Sequence, residues 1–159
     1  WRRAWRHVVG RKVAFLTAVP DPTSEIEGLI AHVPGGDWEA LDMREHAYAR
    51  VLADGVDHGV TGSPEVHIYH APDDMHDPAE EMRPVLLSYL DVVVQGYLRE
   101  FGEAGVTRFF DTTDGWDAPV LNDRIEPRYP RHQRLGADEV ALTDHFLARV
   151  GARVVELPV

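Results

Sequence analysis

The sequence of 159 residues contains no cysteine. Disulfide bonds, thiolate nucleophiles and cysteine-ligated zinc are therefore excluded. Any catalytic side chain in this sequence must act through oxygen or nitrogen atoms. No apolar run approaches the roughly 20 residues that cross a bilayer, and no signal peptide is visible. We therefore expect a cytoplasmic protein that does not bind a membrane.

Basic residues are also scarce. Twenty-seven acidic residues against sixteen lysines and arginines give a formal net charge of −11. Such a surface repels a phosphate backbone, so nucleic acid is not an expected partner. Arg2, Arg3, Arg6 and Arg11 are clustered at the start of the sequence, and we interpret them as the solvent face of a strand.

Two common catalytic motifs are missing as well. No serine stands in a Gly-x-Ser-x-Gly context, and no glycine-rich phosphate-binding loop is present. The first absence argues against a serine hydrolase of the nucleophile-elbow type, and the second argues against a nucleotide-binding loop.

The length and the order of the predicted elements indicate one α+β domain over residues 1–159 with a mainly antiparallel or mixed sheet. Strands are predicted first and helices afterwards, with residues 111–136 as a long ordered segment that covers the surface. The predicted strands are 1–9, 13–19, 25–33, 47–53 and 64–71, and the predicted helices are 37–46, 84–101, 103–110 and 138–150.

The predicted helix 84–101 is bracketed by Pro84 in its first turn and Gly102 after its last. This is the usual asymmetry of helix ends. Gly96 lies in the helix interior, where glycine costs about 1 kcal/mol relative to alanine. We therefore expect another backbone to pack closely against Gly96.

The most informative stretch is 33–51. A Gly-Gly pair ends the preceding apolar run, and Asp37 is placed to cap a new helix. In that helix Trp38, Leu41 and Glu45 follow the i, i+3, i+7 spacing of one face. A carboxylate is therefore predicted on the apolar stripe.

Glu45 has two interpretations. In the first it is structural, because a carboxylate near a helix end reaches water or pairs with an arginine such as Arg50. Alternatively it is chemical, because an apolar pocket disfavours the charged form of a carboxyl group and prepares it to take and return a proton.

Residues 41–45, Leu-Asp-Met-Arg-Glu, followed by Tyr48 and Arg50, resemble the Leu-Asp-x-x-Glu…Tyr-x-Arg element of the gamma-glutamylcyclotransferase-like family. Other stretches that resemble the family are Gly28-Leu29-Ile30-Ala31, Ile68-Tyr69, and Ser88-Tyr89-Leu90 with Gly96. The resemblance covers roughly residues 1–102, and its specific part is the Leu-Asp-x-x-Glu element.

The resemblance implies a small, curved, barrel-like mixed sheet with helices packed around it. It also implies an enzyme that cyclises a small gamma-glutamyl amide to 5-oxoproline and releases an amine or amino acid, with neither a metal nor a cofactor. Glu45 would be the catalytic acid/base residue. Tyr48, Tyr69 and Tyr89 would face the same pocket and bind the substrate.

One family signature, a Tyr-Gly-Ser-Leu loop that holds the glutamyl end of the substrate, does not occur in these residues. In the family it would precede Trp1, so the domain is expected to lack its N-terminal strand and loop here. Two alternatives stay open. One is a non-catalytic small-molecule binding module of the same fold, and the other is a metal-dependent hydrolase.

The hydrolase alternative depends on the segment 67–77, which is rich in histidine and aspartate. A metal site needs three or four such groups converging at about 2 Å from the ion. His67 and His70 differ by an odd number, so in a strand they point to opposite faces. That geometry argues against both residues binding one ion.

Overall fold

The computed structural model describes residues 1–8, 10–72 and 83–156. Almost all of the acidic 72–81 segment lies outside these ranges. Within them the chain is a mixed α+β structure. Its elements are β1 Arg2–Arg6, β2 Phe15–Val19, α1 Trp38–Arg44, β3 Ala49–Leu52, β4 His67–His70, β5 Val85–Leu86, α2 Leu87–Asp111, β6 Thr113–Asp114, β7 Val120–Asn122, α3 Ala137–Arg149 and β8 Val154–Glu156.

The strands form three small sheets. The first has the order β2-β1-β6, with β1 antiparallel to β2 and parallel to β6. The second is the antiparallel pair β3-β4, and the third is the parallel set β5-β7-β8. The expected mixture of parallel and antiparallel pairing is confirmed. None of the sheets in the described ranges closes into a barrel.

The strands predicted at 1–9, 13–19, 47–53 and 64–71 are confirmed as β1 to β4, although each is shorter than expected. Strands β1 and β2 pair with Arg2 opposite Val19, and the turn between them contains Gly10 at a φ of 76°. Glycine has no Cβ, so it adopts this left-handed conformation without a steric penalty. Strands β3 and β4 pair with Ala49 opposite His70.

The strand predicted at 25–33 is wrong, because the chain there is irregular. Leu29 and Ile30 are 73% and 43% exposed. A strand needs a neighbour that takes its backbone hydrogen bonds, and no strand in the described ranges pairs with this segment. Residues 25–33 therefore have a sequence that favours a strand, but they have no neighbouring strand in the described ranges to pair with.

The interpretation of Arg3 as a solvent-facing residue is also wrong, because Arg3 is only 6% exposed. Its guanidinium donates to Thr112 Oγ1 at 2.8 Å, to the Glu27 carbonyl at 2.5 Å and to the Tyr97 hydroxyl. It also lies over the Tyr97 ring, 4.9 Å from the centroid. Burial lowers the pKa of Arg3, and these oxygens and the ring replace the water that the cation has lost.

Helix α2 begins three residues later than predicted, because Val85 and Leu86 pair with β7 before the helix starts. It continues beyond the predicted end to Asp111, but Gly102 within it has a non-helical φ of 66° and ψ of −172°. Gly102 therefore ends one helical segment and the next begins directly, in agreement with the separate short helix predicted at 103–110. The prediction for Gly96 is wrong, because that residue is exposed and a Cβ added there would meet nothing within 4 Å.

The first turn of α2 is capped by a residue distant in sequence. The fully buried carboxylate of Asp123 accepts hydrogen bonds from the backbone N–H and the hydroxyl of Ser88, at 2.8 and 2.6 Å. It also accepts from the Arg128 backbone N–H at 2.9 Å. A carboxylate suits this position because the first N–H groups of a helix have no partner within the helix and form its positive end.

The core joins α2 and α3 through a stack of aromatic rings. The Phe110 ring lies between those of Trp116 and Phe146, with centroid distances of 4.9 and 5.0 Å. Phe109 and Leu90 are fully buried beside them. None of the helices in the described ranges combines the length and apolarity needed to cross a membrane.

Candidate active site around Glu45

Helix α1 carries the residues of the Leu-Asp-x-x-Glu element. Asp37 caps it, because its side chain accepts a hydrogen bond from the Ala40 N–H at 3.1 Å. Trp38, Leu41 and Glu45 are half-buried, as expected for one face. The helix ends at Arg44, so Glu45 takes the capping position at its C-terminus and not a position inside it.

The Glu45 side chain is 27% exposed, and its Oε1 accepts a hydrogen bond from Arg44 Nε at 2.8 Å. Arg44 itself is 68% exposed, and ion pairs at such exposure are weak. The suggested pairing of Glu45 with Arg50 is wrong. The carboxylate is therefore half-buried, and its one hydrogen-bond partner among the described residues extends into solvent.

Arg50 pairs instead with Asp42 of the same element. Its Nε and Nη2 donate to the two carboxylate oxygens at 2.9 and 3.1 Å, and the Tyr69 hydroxyl donates to Asp42 Oδ1 at 2.5 Å. The hydrogen bonding from Arg50 is the largest cause that lowers the pKa of Asp42, and the hydrogen bond from Tyr69 is the next. The guanidinium also lies over the Trp38 ring, 4.4 Å from its centroid. The network ties α1 to β3 and β4.

Tyr48 lies in the short loop that this network encloses. Its backbone N–H donates to the Glu45 carbonyl at 2.8 Å. Burial, and then the charge of Glu45, raise the pKa of Tyr48. The pKa of Tyr69 is also raised, mainly by burial and by Asp42, with a smaller contribution from Glu45. Glu45 therefore lies within electrostatic reach of both hydroxyl groups.

Tyr89 enters the same region from the first turns of α2. Its ring packs against Trp5 and Tyr129, with centroid distances of 5.8 and 4.8 Å. Burial raises the pKa of Tyr89 far above its usual value, and Tyr48 contributes next. Glu45 thus acts electrostatically on Tyr48 and Tyr69, and Tyr48 acts on Tyr89. We call these four residues together the Glu45 site.

The turn between β1 and β2 holds the two sides of this region together. On one side Arg11 Nη2 lies 3.4 Å from Nε2 of His46, the residue that follows Glu45 in the sequence. On the other side the Ala14 N–H donates to the Pro84 carbonyl at 2.9 Å, just before α2. The hairpin therefore brings the start of α2 close to the loop that carries Glu45 and Tyr48.

Sequence reasoning missed two residues at this region, Tyr129 and Arg131. The Tyr129 ring packs on Tyr89, and its N–H donates to Ser88 Oγ at 3.2 Å. The charge of Arg131 acts on the Tyr89 hydroxyl and opposes part of the rise in its pKa. Pro127 and Pro130 flank the tyrosine, and this spacing of an aromatic residue between prolines was the available signal of a fixed segment.

A cavity of about 1440 Å³ lies beside the Glu45 site and not at it. Its lining includes the exposed apolar residues Leu29, Ile30, Leu52, Val56 and Val60, but none of the four residues of the Glu45 site. Strand β4 contributes to both, because its His67 and Ile68 line the cavity and its Tyr69 binds Asp42. The expectation that Glu45 lines a pocket stays a prediction.

The histidines of the 67–77 segment have separate surroundings. His67 packs against Trp38 at 4.7 Å and contacts Glu65 at 2.5 Å, whereas His70 lies 6.0 Å from the Trp1 ring. Within the described ranges no three histidine or acidic side chains could hold a metal ion together. Four further candidate ligands, Asp73, Asp74, His76 and Asp77, lie outside those ranges.

No known protein family, curated protein or solved structure matches the chain. A functional assignment must therefore be argued from the residues of the Glu45 site and from the motif that they form.

Proposed function

We propose that this protein is an enzyme of gamma-glutamylcyclotransferase type, which cyclises the glutamyl group of a gamma-glutamyl amide to 5-oxoproline and releases an amine or amino acid. The supporting observation is the ion pair between Asp42 and Arg50, which lie on either side of Glu45 and Tyr48 in the sequence. All four are residues of the Leu-Asp-x-x-Glu…Tyr-x-Arg element, so the pair gives its Asp and Arg a structural role. The proposal includes the fold implied by the resemblance, in which the sheets β2-β1-β6 and β3-β4 correspond to parts of a curved, barrel-like arrangement.

The reaction needs one proton shuttle. The alpha-amine of the glutamyl group attacks the gamma-carbonyl carbon, so that a new C–N bond forms and the original amide C–N bond breaks. Because both groups belong to one molecule, the step gains the effective molarity of a tethered nucleophile, up to about 10⁵–10⁸ M. Glu45 accepts the proton from the amine and delivers it to the departing nitrogen.

The surroundings of Glu45 suit this role. Its exposed partner Arg44 holds the carboxylate through one hydrogen bond, and a substrate ammonium group can replace that contact at small cost. The backbones of Glu45 and Tyr48 are joined by a hydrogen bond, so the two residues are held in one turn. A half-buried carboxylate with a replaceable partner is what a general base for an incoming amine requires.

A tyrosine hydroxyl is protonated at neutral pH, and the raised pKa values of Tyr48 and Tyr89 extend this to higher pH. These two hydroxyl groups can donate hydrogen bonds to a substrate carboxylate or carbonyl, whereas the Tyr69 hydroxyl already donates to Asp42. The reaction also needs donors for the carbonyl oxygen as it gains charge. In the family the Tyr-Gly-Ser-Leu loop supplies them, so the natural coding sequence ahead of Trp1 is where this loop should be sought.

The test is the release of 5-oxoproline by the natural full-length protein, assayed with glutathione, gamma-glutamyl amino acids and gamma-glutamyl amines. Glu45→Gln keeps the size of the side chain but cannot shuttle a proton, a role worth about 10²- to 10⁴-fold in rate. Glu39→Gln is the matched control, because Glu39 is an exposed residue of the same helix. Its turnover should equal that of wild type.

A folded Glu45→Gln protein with undiminished turnover would remove Glu45 from the mechanism. A variant that melts well below wild type would instead identify Glu45 as a structural residue. Wild-type protein that binds gamma-glutamyl compounds without converting them would support the non-catalytic binding module, above all if the upstream sequence lacks the Tyr-Gly-Ser-Leu loop.

A further inference from the structure

Exposed apolar side chains are concentrated at one place in the described part of the chain. Eight large apolar residues are exposed there. Five of them line the cavity beside the Glu45 site: Leu29, Ile30, Leu52, Val56 and Val60. Single exposed apolar residues are ordinary, whereas several that gather in one concavity mark a binding surface. We call this cavity and its lining the apolar groove.

The charged side chains of the apolar groove are of one sign. Its described lining contains no lysine or arginine, but it contains five carboxylates: Asp21, Glu25, Glu27, Asp54 and Asp57. Two of these have arginine partners outside the lining, since Asp21 lies 3.8 Å from Arg2 and Glu27 lies 2.7 Å from Arg108. The other three are exposed and make no ion pair with any described residue. An occupant that complements this surface must be apolar and must carry positive charge.

One wall of the groove has unused backbone hydrogen-bonding groups. Residues 25–30 have a sequence that favours a strand, yet none of their N–H groups donates a hydrogen bond to a described residue. Leu52, another lining residue, belongs to β3, which pairs with β4 along one edge and with no other strand in the ranges that the structure describes. Strand-forming backbone without a partner is a template for an added strand.

The volume of the groove favours a polypeptide segment over a small molecule. At about 1440 Å³ it is larger than the roughly 300–1,000 Å³ of ordinary small-molecule sites. A small apolar amine would also leave the backbone groups of residues 25–30 unused. A second copy of this chain is disfavoured, because a symmetric contact through the groove would bring the same carboxylates together.

We propose that the apolar groove binds an extended segment of a partner protein in which basic and apolar residues alternate, added as a strand alongside residues 25–30. Its apolar side chains cover Leu29 and Leu52, and its long basic side chains reach the carboxylates at the rim. The inference does not depend on the proposed function, because none of the four residues of the Glu45 site lines the groove.

The test is titration calorimetry of the natural full-length protein with the blocked peptide Lys-Val-Lys-Val-Lys-Val-Lys. It should bind at least about tenfold more tightly than Glu-Val-Glu-Val-Glu-Val-Glu, and its affinity should fall as salt is added. The same basic peptide with N-methylated valines keeps the side chains but loses backbone donors. Its affinity should be about tenfold lower, because several hydrogen bonds of an added strand are lost.

Two pairs of variants locate the binding surface. Leu29→Ala should weaken binding of the basic peptide about tenfold, because apolar contact area is lost. Met43→Ala is its control, since Met43 is an exposed apolar residue of α1 that does not line the groove. Asp57→Asn should weaken binding about two- to fivefold at low salt. Asp117→Asn, at an exposed site outside the groove, should leave it unchanged.

Several results would overturn the proposal. They include no binding of the basic peptide to the natural protein, equal binding of the basic and acidic peptides, and equal effects of Leu29→Ala and Met43→Ala. Self-association that Leu29→Ala abolishes would assign the groove to a second copy. Hexylamine that binds as tightly as the peptide would assign it to a small cation. A structure of the natural protein in which its own residues ahead of Trp1 fill the groove would overturn the proposal as well.

Discussion

The guanidinium of Arg50 in β3 donates two hydrogen bonds to the carboxylate of Asp42 in α1, at 2.9 and 3.1 Å, across the four-residue loop 45–48. Glu45 and Tyr48 both lie in that loop. The pair therefore has a positional role, because it fixes the two ends of the segment that carries the candidate general base. The Tyr69 hydroxyl strengthens the arrangement from the neighbouring strand.

Asp42→Asn should reduce turnover more than stability. The pair is partly exposed, with 27% and 44% of the two side chains accessible, so its loss should lower the melting temperature only slightly. The loop would shift, however, and a displacement of about 1 Å at a catalytic group can cost about 10²-fold in rate. Turnover and melting curves should be compared with those of Asp54→Asn, an exposed aspartate outside the network. A proportionate loss of both properties would contradict the positional role.

Alkaline pH should destabilise the protein. Four tyrosines have a pKa raised mainly by burial: Tyr48, Tyr69, Tyr89 and Tyr97. A folded-state pKa above the unfolded value of about 10 means that the stabilisation is complete below about pH 10 and is lost as pH rises through the folded pKa. Phenolate absorbance and urea unfolding should change together above that pH. Tyr89→Phe should weaken the dependence, and an unchanged profile in this variant would refute the assignment.

Asp123→Asn should destabilise the fold by about 1–3 kcal/mol, the usual cost of leaving a buried hydrogen-bond donor without an acceptor. Asp123 accepts from two N–H groups and one hydroxyl, and an amide offers one oxygen in place of two. Urea unfolding should show a lower midpoint with an unchanged slope. Asp117→Asn, at an exposed site, should stay within about 0.5 kcal/mol of wild type. Equal stability of the two variants would show that the cap contributes little.

The same substitution at two glycines of α2 should have opposite signs. Gly96→Ala should stabilise the protein by up to about 1 kcal/mol, because the site is open and alanine is the better helix former. Gly105→Ala should destabilise it by about 1–3 kcal/mol, because a Cβ there would overlap the Phe101 side chain. Thermal or urea unfolding of both variants decides the question. Destabilisation by Gly96→Ala would mean that something packs against that residue after all.

The elements that the sequence predicted well have local causes. Asp37 caps α1 through its own side chain, and Gly10 provides the left-handed turn of the first hairpin. The errors have distant causes. The 25–33 segment depends on a partner strand, and the burial of Arg3 depends on Thr112 and Tyr97, about a hundred residues away. Periodicity reports which residues can be buried but not what covers them.

The candidate site was predictable to the same extent. The residue spacing predicted that Glu45 lies on the same helix face as Trp38, but it did not predict that Arg50 pairs with Asp42 and not with Glu45. The position of Tyr129 could not be predicted, because it depends on a backbone hydrogen bond to Ser88, a residue that motif comparison does not connect to it.

The cap on α2 also has a consequence for biosynthesis. The Ser88 hydroxyl and N–H donate to the carboxylate of Asp123, which lies 35 positions further along the chain. During synthesis the first turn of this helix cannot be completed until Asp123 has left the ribosome. Contacts of such sequence separation slow folding, because a long loop must close before they form. A nascent chain that stalls before residue 123 would therefore expose the frayed helix start, with Leu87 and Leu90, to chaperones and proteases.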